Sequence, residues 1–130
     1  HHKVYNFSKP IIAAVNGSAM AGGMDLATMC DLRIISSDSL FGQPQVKMGI
    51  AASFDLISTV LPETLARELC LTGRLMNAEE ALNSGFANEI SKPEELLNRA
   101  KELAQGISES KNTVNMKAEF RKLQPNLFKN

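Results

Sequence analysis

The chain has 130 residues, 44% of them hydrophobic and 5% aromatic, which suffices for one domain with a mostly aliphatic core. Its 14 basic and 14 acidic side chains cancel, excluding the basic footprint of a nucleic-acid binder and leaving small molecules or proteins as partners. No apolar run approaches the roughly 20 residues of a membrane span and HHKVYNFSKP is not a signal peptide, so a soluble, intracellular protein with no membrane partner is expected.

His1 and His2 are given no role. IIAAVN (11–16), after Pro10, is a short apolar run suited to a buried strand, and Gly17 ends it. Gly22 to Met29 fits a short helix. Asp31 interrupts, LRIIS (32–36) reads as a second strand and SLFG (39–42) as a third, with SSDS as the turn between them. From about Ala52 the period shifts toward helix. LPETLARELCLTG places Leu61, Leu65, Leu69 and Leu71 near one face, with Pro62 and Glu63 at the start and Gly73 past the end. NAEEALNSG is a compact helix with Asn77 as N-cap, Glu80 completing a capping box and Gly85 as the left-handed stop. FANEI (86–90) reads as a last strand. SKPEELLNRAKELAQGI sets Glu94 and Glu95 in a first turn and Leu96, Ala100, Leu103 and Ile107 at helical spacing, and VNMKAEFRKL is a further amphipathic stretch. Cys30 and Cys70, each in an apolar run without a nearby Cys or His, read as buried free thiols in a reducing compartment, with no metal site. Gly22-Gly23 is not a G-x-G-x-x-G fingerprint, so no dinucleotide cofactor is expected.

The run KPIIAAVNGSAMAGGMDLATMCDLRIISSDSLFGQPQVKMGI, followed by LTGRLMNAEEALNSGFANEI, resembles the enoyl-CoA hydratase/isomerase (crotonase) family. The motifs that carry the resemblance are KPIIAAVNG, AGGMDLA, CDLRI, FGQP, and LTGR followed by AEEAL and a glycine; the resemblance covers residues 9 to about 104. The resemblance implies an α/β fold: part of a crotonase-like ββα spiral core over residues 1–91, then C-terminal helices over 92–130. It also implies an acyl-coenzyme A thioester as substrate, with coenzyme A belonging to the substrate and no separate cofactor. A homotrimer or hexamer in the cytoplasm, or in an organelle matrix, follows from the same likeness.

Family members share an oxyanion hole, in which two backbone N–H groups hold the thioester oxygen as an enolate forms. Unpaired amides at a helix N-terminus, backed by the helix dipole, point at such an anion, and glycine admits the substrate without a Cβ in the way. By match to the motif, the Gly22 N–H is one of the two donors, and Gly23 serves close packing of helix on sheet. A glycine pair before a helix also serves as an ordinary tight turn. Hydratases of the family place two glutamates around a water; here those positions hold Asp25 and Gln45. Asp25 keeps an ionisable group, and it also fits as a plain first-turn acid. Gln45 exchanges no proton, although its amide can hold a water or a carbonyl. The two-carboxylate arrangement is therefore broken.

After GQPQVKM the chain reads GIAASFDLISTVLPE, a segment about three residues shorter than the family's and without its glycine-rich loop. Asp55 lies there as a second candidate acid/base, or alternatively as a helix N-cap. Ser18, Met20, Ala21, Pro44 and Phe54 are the expected lining of the acyl pocket. Lys117 is the choice to meet the coenzyme A phosphates, over Lys111 and Arg121. The first half of a crotonase, with its other oxyanion amide, has no counterpart in these residues, which is expected of a piece of a once-complete enzyme. Three readings stay open: an acyl-CoA isomerase or hydratase, a non-catalytic acyl-CoA-binding module, and a subunit-assembly element.

Overall fold

Ahead of Pro10 the chain makes a single helical turn, α1 (His2–Tyr5), in a computed structural model that describes residues 1–128. Pro10 and Gly17, the latter at φ 94°, bracket strand β1 (Ile12–Val15). Strand β2 (Ser18–Met20) follows at once, then helix α2 (Gly22–Met29), β3 (Leu32–Ser36) and β4 (Leu40–Gly42). The chain thus lays one strand in each of two sheets per turn. The first sheet has the order β1-β3 and then Glu89–Ser91 (β6), all parallel, with Ile12 opposite Leu32 and Ile34 opposite Glu89. The second has the order β2-β4 and then Leu75–Asn77 (β5), with Ser18 parallel to Leu40 and Met76 antiparallel to Phe41.

A 3-10 turn over Pro44–Met48 ends at left-handed Gly49, and the short α3 (Phe54–Ile57) leads to α4 (Glu63–Thr72), stopped by Gly73 at φ 69°. β5 (Leu75–Asn77), α5 (Ala78–Asn83) and β6 (Glu89–Ser91) complete the sheets. A second 3-10 turn, Pro93–Glu95, opens onto α6 (Leu96–Glu109), and α7 (Thr113–Leu123) follows.

The main core joins Met24, Ile35, Phe41, Ile57, Leu69, Met76 and Phe86, all buried, with the Phe41 and Phe86 rings 4.9 Å apart and tilted by 62°. Arg33 is buried beside them and has no carboxylate partner among the described residues. Its Nε donates to Phe86 O at 2.5 Å and its Nη1 to the carbonyls of Ala27, Thr28 and Cys30, so a cation closes the C-terminal end of α2. Burial lowers the guanidinium's pKa from its ordinary value. Leu96 and Ala100 of α6 share a smaller core with Ile34 of β3, so the C-terminal helices and the sheet bury surface in common.

Several sequence expectations need correction. Leu71 is 75% exposed, because two residues beyond buried Leu69 it has turned about 200° around α4. Asn77 Oδ1 does accept the Glu80 N–H at 2.9 Å, but the Glu80 carboxylate turns to Arg74, receiving Nη1 at 2.9 Å and Nη2 at 2.8 Å, so the reciprocal half of the capping box is not made. The last strand is Glu89–Ser91, and Phe86 and Ala87 of the expected FANEI strand are core residues ahead of it. β2 and β5, three residues each, were too short to show a period. Cys30 and Cys70 are free and only partly buried, and that burial pushes both thiols up in pKa.

Candidate active site

The site begins at the turn from β2 into α2. Ala21 takes φ 51° and ψ −118°, a conformation that disfavours a Cβ and costs on the order of 1–3 kcal/mol. Two hydrogen bonds hold it there: its N–H donates to Gly42 O at 2.9 Å, and its carbonyl accepts the Asp25 N–H at 2.9 Å. The helix ladder therefore starts at Ala21, and among the described residues the amides of Gly22, Gly23 and Met24 have no backbone partner. Gly22 is exposed, and a Cβ there would come no nearer than 3.8 Å to the His1 ring. A Cβ on Gly23 would meet Ala19 Cβ at 3.8 Å, an ordinary contact, so close packing is not what requires that glycine.

One turn further, Asp25 is only 9% exposed, and both of its carboxylate oxygens are engaged. Gln43 Nε2 donates to Oδ1 at 2.9 Å, and Ser53 Oγ donates to Oδ2 at 2.7 Å. Gln45 Nε2 in turn donates to Gln43 Oε1 at 2.8 Å, giving the chain Gln45, Gln43, Asp25, Ser53. Gln45 Oε1 is buried and has no partner among the described residues. The Cys70 thiol is pushed up in pKa first by burial and then by the negative charge of Asp25.

A cleft of about 510 Å³ opens over this cluster. Gly22, Asp25, Ser53 and Asp55 are among its lining residues, together with the apolar Met29, Phe54, Leu56, Leu127 and Phe128. The apolar wall is anchored by a cluster of Tyr5, Met29 and Leu56 against Leu127 and Phe128. Tyr5 Oη donates to Pro125 O at 2.6 Å, and Gln124 Nε2 donates to Tyr5 O at 2.9 Å.

The structure therefore brings Gly22, Asp25, Phe54 and Asp55 of the expected residues to one cleft. Asp55 lies in the first turn of α3, whose N-cap is Ser53, so it is not the cap. Gln45 reaches Asp25 only through Gln43. Ser18, Met20, Ala21 and Pro44 are not among the lining residues: Ser18 and Met20 pair with Leu40 and Gly42 in the sheet, Ala21 forms the turn and Pro44 opens a 3-10 turn. Lys117 is a correction. It is 2% exposed, with Nζ 2.7 Å from Asp31 Oδ2, so it is spent on an internal ion pair and does not present its charge to a phosphate. Gln43 and Ser53 were missed. Gln43 stands inside the FGQP motif, while Ser53 meets Asp25 across 28 residues and left no local signal.

A ββα spiral with an acid and free helix amides at one cleft defines a class of α/β enzyme scaffold, and comparison with known proteins gives the family. Residues 1–126 match the Enoyl-CoA hydratase/isomerase family. The short-chain-enoyl-CoA hydratase of Clostridium acetobutylicum is 44% identical over 102 residues, 76% of this chain and 39% of that protein. The carnitinyl-CoA dehydratase of Shigella flexneri is 39% identical over 111 residues, 83% of this chain and 42% of that protein. The structure of human enoyl Coenzyme A hydratase domain-containing protein 3 superposes with a TM-score of 0.87 at 30% identity, covering 97% of this chain and 52% of that one. The chain thus spans about 40% to half of the length of these relatives. It belongs to the enoyl-CoA hydratase/isomerase family and has the crotonase fold.

Proposed function

We propose that the chain carries the acid/base half of an acyl-CoA thioester site of the enoyl-CoA hydratase/isomerase type. The observation that supports this most is the shared cleft: Gly22, at the start of α2, and Asp25 line the same space. In this reading the Gly22 N–H, with the positive end of α2 behind it, holds the thioester oxygen as charge develops there. One such donor is typically worth about 3–4 kcal/mol of barrier. The Asp25 carboxylate takes a proton from the γ carbon of a 2-enoyl thioester, the electron pair moves through the double bond onto the thioester oxygen, and a proton returned at the α carbon completes the isomerisation to the 3-enoyl thioester. Asp55, at the same cleft, is the second acid/base, and Gln45 orients water or substrate without exchanging a proton. Coenzyme A enters as part of the substrate. Homotrimeric or hexameric assembly through the C-terminal helices, in a cytoplasm or organelle matrix, belongs to the same proposal; it is supported by the exposed Val114, Met116, Phe120 and Leu123 of α7.

The test is Asp25→Asn in the gene product that carries this chain, with crotonyl-CoA as substrate and acetoacetyl-CoA as an enolate mimic. Turnover is expected to vanish while the mimic still binds; retained turnover removes Asp25 from the mechanism. A second reading, a module that binds acyl-CoA without converting it, is favoured by the amide at Gln45 where a hydratase has a carboxylate. Any turnover of an enoyl thioester excludes that second reading.

A further inference from the structure

A serine at the start of a helix ordinarily turns its hydroxyl onto the helix's first free amides. Ser53 does otherwise. Its carbonyl accepts the N–H groups of Leu56 and Ile57 at 3.2 and 3.1 Å, which sets it at the start of α3, yet its side chain makes no capping hydrogen bond. The hydroxyl instead donates to Asp25 Oδ2 at 2.7 Å. The last side-chain torsion of an aspartate is soft and roughly two-fold, so a single donor leaves the carboxylate free to swing, whereas two donors on opposite oxygens fix its plane. Gln43, fully buried, holds Oδ1. Ser53 and Asp25 both line the cleft.

We propose that Ser53 is a positioning residue, whose hydroxyl fixes the Asp25 carboxylate in the orientation that exchanges a proton with the substrate. The proposal rests on the reading of Asp25 as the proton-moving group. α3, with Phe54 and Asp55 on the cleft, is thereby tied to the acid on α2, and the geometry of the site depends on the loop ahead of α3 holding its place.

The variants are Ser53→Ala, which removes the hydroxyl, and Ser53→Thr, which keeps it, both made in the gene product that carries this chain and assayed with crotonyl-CoA. Ser53→Ala is expected to lower kcat about 10- to 100-fold with KM changed by less than about threefold, because misorientation acts on the reacting geometry more than on binding. Ser53→Thr is expected to recover most of kcat. An unchanged kcat in Ser53→Ala, or a loss that follows melting temperature and is not recovered by Ser53→Thr, overturns the proposal. A crystal structure of Ser53→Ala reads the same point without turnover: an Asp25 carboxylate rotated out of its present plane supports the proposal, and one left in place overturns it. If the wild-type protein converts no thioester, the role of Asp25 fails on its own, and the crystallographic comparison still decides whether Ser53 orients that carboxylate.

Discussion

Asp31 Oδ2 accepts both the Lys117 ammonium at 2.7 Å and the Ile11 N–H at 2.8 Å, so one oxygen ties α7 to the residue just ahead of β1. Truncating the lysine leaves a partly buried carboxylate short of its partner, and removing one member of such a pair typically costs about 3–5 kcal/mol. Lys117→Ala is therefore expected to destabilise the protein by about 3 kcal/mol in urea titrations, while leaving its affinity for acetoacetyl-CoA unchanged. A lost affinity without lost stability would restore the phosphate role that the sequence suggested. Ala21 makes a complementary case, since its positive φ is held by two backbone hydrogen bonds. Ala21→Gly relieves that strain but loosens the unfolded chain, and the balance is expected to raise stability by about 1 kcal/mol, read as a higher urea midpoint.

The long helices and the central strands were legible because each carries its own pattern. Gly22–Met29 and Leu32–Ser36 fall where the apolar runs and their glycine or aspartate boundaries put them. β2 and β5 were not legible: three residues hold too little period, and they are strands only because β4 lies between them to pair with. Within the site, Gly22 and Asp25 could be read because they stand at matched positions of the AGGMDLA motif, whereas the Gln43 and Ser53 contacts to Asp25 exist only after the second sheet has brought distant loops together. β4 is the element where this closeness is tightest. A Cβ on Gly42 would stand 2.9 Å from Leu75 Cδ2 and 3.1 Å from the backbone oxygen of Arg74. The side chain can move; the carbonyl of an adjacent strand cannot move cheaply. Gly42→Ala is expected to cost about 1–3 kcal/mol of stability, and because Gly42 O also receives the Ala21 N–H, to reduce turnover beyond what its stability loss explains.

At the scale of the whole molecule, charge is balanced and the ion pairs are mostly peripheral. Hydrogen bonds from Arg74 hold the Glu80 carboxyl below its ordinary pKa, and those from Arg99 do the same for Glu89. A carboxylate lowered by folding contributes stability that is fully present above its unfolded value, near pH 4.3, and is lost as the pH falls through the depressed folded value. Melting temperature is thus expected to drop below about pH 4, and Arg74→Leu to flatten that acid limb by lowering stability slightly near neutrality while leaving it unchanged in acid. The Arg74 and Glu80 side chains are 36% and 35% exposed, so solvent screening keeps their pair below about 1 kcal/mol, and added salt weakens it further.

The contact between Tyr5 and the segment around Pro125 joins residues 120 apart in sequence, the kind of closure that a folding chain makes last because its loop entropy is greatest. Tyr5 is also the one tyrosine in a chain without tryptophan, and its ring stands 5.4 Å from that of Phe128, which walls the cleft. The chain accordingly carries a built-in fluorophore beside a wall of the cleft. Stopped-flow tyrosine emission should report the slowest refolding phase, and a ligand that pries Phe128 from its place should announce itself as light, without any label.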